Sequence, residues 1–192
     1  MRKITWMTAL VTTFVAGGAL LTAGCDGGDA DARSAASAQA QPAPASPAQA
    51  EALPPSLFAQ SAPADAKDVA AAKSSAKAGD AIVLRGKIGG SAEPLAANRA
   101  LMTITDLSLP TCSDIPGDKC KTPWDSCCEP ADDVAAKSAT VQVVGADGRP
   151  LKASLNGAHG IAPGKKVVVQ GKVKSAADNT LVVDATQIAV SP

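Results

Sequence analysis

Tyrosine is missing from this sequence, phenylalanine and tryptophan occur twice each, and histidine occurs once. Single-strand nucleic-acid binders stack bases on aromatic rings inside a positive groove, and this inventory leaves almost nothing to stack on. Net charge is missing as well, with 18 Lys plus Arg against 18 Asp plus Glu, so no polyanion-binding field covers the molecule. Among 192 residues there is no GxSxG elbow and no glycine-rich phosphate loop beside a helix. With one histidine, no nucleophile and base pair stands out, and adjacent carboxylates such as Asp132 and Asp133 read as solvated loop charges. The sequence therefore points away from an enzyme.

The chain opens MRKITWMTALVTTFVAGGALLTAGC. Arg2 and Lys3 precede an apolar run from Ile4 to Leu21, and small residues then lead into a cysteine. This is the pattern of a secretory signal over residues 1–24; Gly17 and Gly18 interrupt the run and argue against a spanning anchor. The end of the run, Leu21-Thr22-Ala23-Gly24-Cys25, resembles the lipobox of bacterial lipoproteins, with Thr22 where leucine is commonest. The resemblance implies cleavage before Cys25 and a diacylglycerol on its sulfur, which would hold the protein on a membrane through its acyl chains. It places the protein in the cell envelope, lipid-anchored to a membrane and facing the periplasm or the cell exterior. Removing Arg2 and Lys3 with the leader leaves 16 basic residues against 18 acidic ones, a formal charge of −2.

Residues 25–64 are Ala, Pro, Ser, Gln, Gly and Asp with few large apolar side chains. Such a composition cannot bury enough surface to offset chain entropy and is expected to form a disordered tether of roughly 35 Å. Residues 65–78, DAKDVAAAKSSAKA, are rich in helix formers and stop before Gly79, predicting a short helix. From residue 80 the texture becomes short β-branched runs. AIVLRGKI alternates Ile82, Leu84, Gly86 and Ile88 against Arg85 and Lys87, and KKVVVQGKVK alternates Val167, Val169, Gly171 and Val173 against Lys166, Gln170, Lys172 and Lys174. RALMTITDL, SATVQVVG and TLVVDATQIAV read as further strands, PLKASL as a short partner strand, and Asp178-Asn179 as a hairpin turn.

Five or six strands within residues 80–192 define an all-β domain. Gly86 and Gly171 sit on the inward face of two similar strands, where a glycine marks a bulge or a sharp bend. The strand order resembles the OB-fold, a five-stranded barrel whose members bind oligonucleotides and oligosaccharides. The phrases LRGKIGGSAEP, DIPGDKCKTPWDSCCEP, ATVQVVGADGRPLK and VVVQGKV resemble an uncharacterised group of planctomycete secreted proteins with an OB-like domain. The chain departs from the OB pattern in its long cysteine-rich insertion at residues 108–137, and in NGAHGIAPG, which is too short and glycine-rich for the helix found before the fourth strand.

That insertion holds CSDIPGDKCKTPWDSCCEP, with Cys112, Cys120, Cys127 and Cys128. Zinc sites present ligands in pairs two to four residues apart, and no such pair occurs here. Adjacent cysteines also point apart in most backbone conformations. A redox centre wants a Cys-x-x-Cys motif or nearby cations, whereas Asp114, Asp118, Asp125 and Glu129 surround these thiols and Lys119 and Lys121 offset them only in part. In an exported protein the expectation is two structural disulfides, with Cys112 and Cys120 each bonded to one of the adjacent pair, and neither pairing distinguished. Trp124 would cover the sulfurs.

The expectation is a membrane-anchored, non-enzymatic binding module without metal or cofactor. Its recognition surface is the stapled loop, with Trp124, Asp114, Asp118, Lys119 and Lys121 as contact residues for an envelope protein or glycan. A metal-binding or thiol-redox protein using the four cysteines is the alternative. An oligonucleotide- or oligosaccharide-binding OB domain comes second, with Lys166, Lys172 and Lys174 as its basic face.

Overall fold

A computed structural model describes residues 50–191; the leader, Cys25 and most of the tether lie outside the described residues. Ala45–Pro192 forms one compact unit by itself. The expected all-β class holds. Its strands are β1 (Lys67–Asp68), β2 (Ala81–Ile88), β3 (Leu101–Thr105), β4 (Ser138–Gln142), β5 (Lys166–Ala177) and β6 (Thr180–Val190). They form one mixed sheet in the order β1-β2-β3-β4-β6-β5, and β2 pairs with β5 as well. The β4–β6 and β1–β2 pairs are parallel and the others antiparallel.

Alternation decides which face is buried. Ile82, Leu84 and Ile88 of β2, Val167, Val169 and Val173 of β5, and Leu181, Val183, Ala185 and Ile188 of β6 enter one core with Met102, Ile104, Val141 and Leu155. The two inward glycines permit close backbone approach. A Cβ on Gly86 would stand 2.6 Å from the Thr105 carbonyl oxygen, and one on Gly171 would press on that of Asp184. The β5–β6 register shifts between Gln170 and Gly171, which is the expected bulge. Asp178 and Asn179 both take positive φ (49° and 57°), the conformation a two-residue hairpin turn requires.

Residues 65–78 contain α1 (Val69–Ser75), shorter than the reading and preceded by the unforeseen β1. The carboxylate of Asp68 accepts two hydrogen bonds from the Arg85 guanidinium, at 2.6 and 2.8 Å, beside the Asp68↔Arg85 register pair. Lys73 donates to the carbonyls of Ser138 (3.0 Å) and Asn179 (2.6 Å), fastening α1 to the start of β4 and to the β5–β6 turn. PLKASL does not form a strand. It makes the single bridge Val144↔Pro150 and the hydrogen bond from Leu151 N–H to the Val143 carbonyl, because the Asp147-Gly148 turn is followed by a chain that leaves the sheet.

The tether ends earlier than residue 64. Pro55–Leu57 is a 3-10 turn, and Leu57 is buried in the core. Phe58 bridges to Ile188 and stacks on His159 with ring centroids 3.9 Å apart, and Ala59 N–H donates to the Ile188 carbonyl. Residues 50–60 are thus a strap laid across β6.

Candidate functional site

The chain between β3 and β4 is a plate of short turns fixed to the sheet at several points. At its root, Asp106 N–H donates to the Lys137 carbonyl, which draws the two ends together. The buried Asp106 carboxylate accepts from Ala70 N–H (2.8 Å), Ser108 N–H (3.0 Å) and Ser108 Oγ (2.7 Å). Burial pushes this carboxyl up, but those hydrogen bonds outweigh it and hold the group below the usual range. A second helix, α2 (Ala131–Ala136), leads back to β4. It is capped only by backbone, and nothing in its six residues announced it.

Within the plate, Cys112–Asp114 is a 3-10 turn closed by a capping box between Thr111 and Asp114. Asp114 Oδ2 accepts from Thr111 N–H (2.8 Å) and Thr111 Oγ1 (2.7 Å), and Lys87 Nζ of β2 reaches it at 3.2 Å. The Thr111 hydroxyl first, then its N–H and Lys87, pull the Asp114 carboxyl down to about 2. Cys112 N–H donates to the Asp125 carbonyl (2.7 Å) and Ser113 N–H to that of Pro123 (3.0 Å), so the two halves of the loop run side by side. Ser126 Oγ donates to the Pro110 carbonyl (2.7 Å).

Trp124 is the centre pin. Its carbonyl accepts from Gly90 N–H (3.1 Å), and its indole N–H donates to the Ala92 carbonyl (3.1 Å). A Cβ on Gly89 would collide with the Trp124 carbonyl oxygen, so only glycine lets the loop come this close. The half-buried indole forms one wall of a groove of about 420 Å³, shared with Lys87, Thr111, Ser113 and Lys165. It therefore pins the cysteine loop to the loop that follows β2.

The expected disulfides are not formed. Among the described residues all four cysteines are free thiols, and the Cys112 and Cys127 sulfurs stand 3.4 Å apart, against about 2.05 Å for a bond. The sulfurs of Cys112, Cys127 and Cys128 all lie within 4.8 Å of one another. Cys120 is close enough to perturb both Cys112 and Cys127, and its own sulfur contacts Thr122 Oγ1 at 3.3 Å. The adjacent pair converges because a turn, closed by Glu129 N–H on the Ser126 carbonyl, carries both residues. The pairing of Cys112 with Asp125 then brings residue 112 beside that turn, which spacing alone did not reveal.

Cys112 is buried, Cys120 half-buried, and Cys127 and Cys128 are exposed. Burial, assisted by the neighbouring Cys127 and Cys120 sulfurs, pushes the Cys112 thiol up to about 12. Contact with Cys112 lowers Cys127, but desolvation and the Cys120 and Cys128 neighbours leave it raised; Cys128 is raised in a similar way. Only Cys120 is lowered, by the Thr122 hydroxyl.

The remaining surface candidates divide. Asp114 is exposed but engaged by Thr111 and Lys87, while Asp118, Lys119 and Lys121 are exposed on the rim beside Gly117 and Cys120, with Asp118 Oδ1 accepting from Cys120 N–H (2.9 Å). His159, stacked on Phe58, is occupied in packing. Compared with protein-family models, with curated proteins and with solved structures, the chain matches none.

Proposed function

We propose that the protein is a lipid-anchored envelope protein whose folded domain is a non-enzymatic binding module, and that the cysteine loop is its binding surface. One observation carries this: the loop is held to the rest of the domain through Trp124 on Gly90 and Ala92 of the loop after β2, Asp114 on Lys87 of β2, and Asp106 on Ala70 of α1, while Cys127, Cys128, Asp118, Lys119 and Lys121 remain exposed. Rigid scaffolds commonly present binding residues on such loops. An OB-like barrel is the framework we assign. Ring-wise pairing β2-β3-β4-β6-β5 and back to β2, with β4 and β6 parallel, supports it.

The anchor and the surface are tested separately. Replacing Cys25 with serine should move the protein from the membrane fraction to the soluble one, and retention on the membrane would overturn the anchor. A photocrosslinking residue at position 121 should give one discrete adduct in intact cells, while one at position 152 gives none. No adduct at 121, or equal labelling from both, would overturn the loop as the binding surface.

A further inference from the structure

We propose that Cys112, Cys127 and Cys128 form a thiolate site for a soft d10 metal ion, Zn(II) or Cu(I), with the fourth position left to an exogenous ligand. This names the ligand class of the binding surface proposed above and rests on that reading, but not on the lipid anchor.

The geometry argues it first. Three sulfurs within 4.8 Å of one another, one pair at 3.4 Å, are too far apart for bonds and too close for unrelated surface thiols. Thiolates sharing one zinc at about 2.3 Å stand about 3.8 Å apart on a tetrahedron. The 3.4 Å pair lies near that value, and both other pairs fall within 4.8 Å. A disulfide framework would instead sort the four sulfurs into two pairs, and here Cys112 is shared between Cys127 and Cys128.

The scaffold argues it next. The backbone bonds from Cys112 to Asp125 and from Glu129 to Ser126 place the ligands before any ion arrives, which reduces the ordering cost of binding. The donor set then selects the ion, since sulfur-only ligands favour Zn(II) and Cu(I) over the oxygen-seeking Ca(II) and Mg(II). Each thiol that coordinates releases its proton to water, so one zinc on the three clustered thiols is accompanied by the release of three protons. Finally, Cys127 and Cys128 are exposed, and the hydrophobic core closes from residues other than Cys127, Cys128 and Cys120. The site is therefore open to exchange with solvent and separate from what holds the sheet together.

The test uses the compact unit beginning at Ala45, reduced and metal-free, which leaves out Cys25. Zinc added in competition with a chromophoric chelator should bind at one ion per chain, and Co(II) should give the intense visible bands of a tetrahedral thiolate complex. Cys128→Ser, at an exposed position that leaves the core untouched, should weaken binding about 100-fold or more with the circular dichroism unchanged; Cys112→Ser should do the same if it folds. Four free thiols that bind neither zinc nor Cu(I), or a Cys128→Ser protein that binds both as the parent does, would overturn the site. Recovery of the protein from cells with two disulfides and no metal would overturn it as well. A metal-free result accompanied by the adduct at position 121 would remove the metal and leave the binding surface standing.

Discussion

Asp106 shows how much one side chain can organise here. It is buried and charged, and it accepts three hydrogen bonds, one of them from Ala70 in a helix 36 residues away. Asp106→Ala strands the Ala70 and Ser108 donors, so a loss of about 2–3 kcal/mol in unfolding free energy is expected by urea titration. A loss below about 0.5 kcal/mol would mean that water replaces the carboxylate without cost. Nothing near Asp106 in the sequence predicts this role, because the partner that makes it necessary is remote. Gly171 is the opposite case. A glycine in an alternating valine run has few explanations, and here it admits the Asp184 carbonyl beside a bulge whose extra residue, Thr186, lies opposite on β6.

At the scale of elements, β2 and β6 coincide in extent with their sequence patterns, since period-two alternation fixes a buried face locally. β1 and α2 left no such trace. β1 is two residues held by Arg85, and α2 is six residues with none buried. The 3-10 turn at Cys112–Asp114 depends on a titratable cap, and its pH behaviour follows. The Asp114 carboxyl is depressed in the folded protein to about 2 from its ordinary 3.8. Its contribution is therefore complete above pH 3.8 and is lost as pH falls through about 2. In a chain begun at Ala45, Trp124 is the only tryptophan. Its fluorescence should shift across that acid window, and in Asp114→Asn the shift at pH 2–4 should be much reduced. An identical shift in both proteins would place the transition elsewhere. The cysteines belong to this scale too: each alone was legible as a thiol, but their convergence is a property of the ladder between residues 112–113 and 123–125.

For the whole molecule, the boundary between tether and domain is set by contacts that a low-complexity composition concealed. Leu57 and Phe58 are isolated apolar residues, and their fate is decided by Ile188 and His159, more than 100 residues later in the chain. Leu57→Ala should cost about 2–4 kcal/mol by cavity formation, measured as a lowered urea midpoint with unchanged slope; a change below about 1 kcal/mol would show the strap to be dispensable. The strap has a further consequence under load. Any pull transmitted through the chain before residue 50 meets the domain first at Glu51 on Lys152 and then at Leu57 in the core and Phe58 and Ala59 on Ile188, one buried side chain and a few bonds rather than a ladder. That segment would peel away while β2, β5 and β6 stay paired, lengthening the reach of the domain by some ten residues, roughly 30 Å of extended chain. The first turn of the fold thus acts as a mechanical fuse, yielding slack before the sheet bears tension.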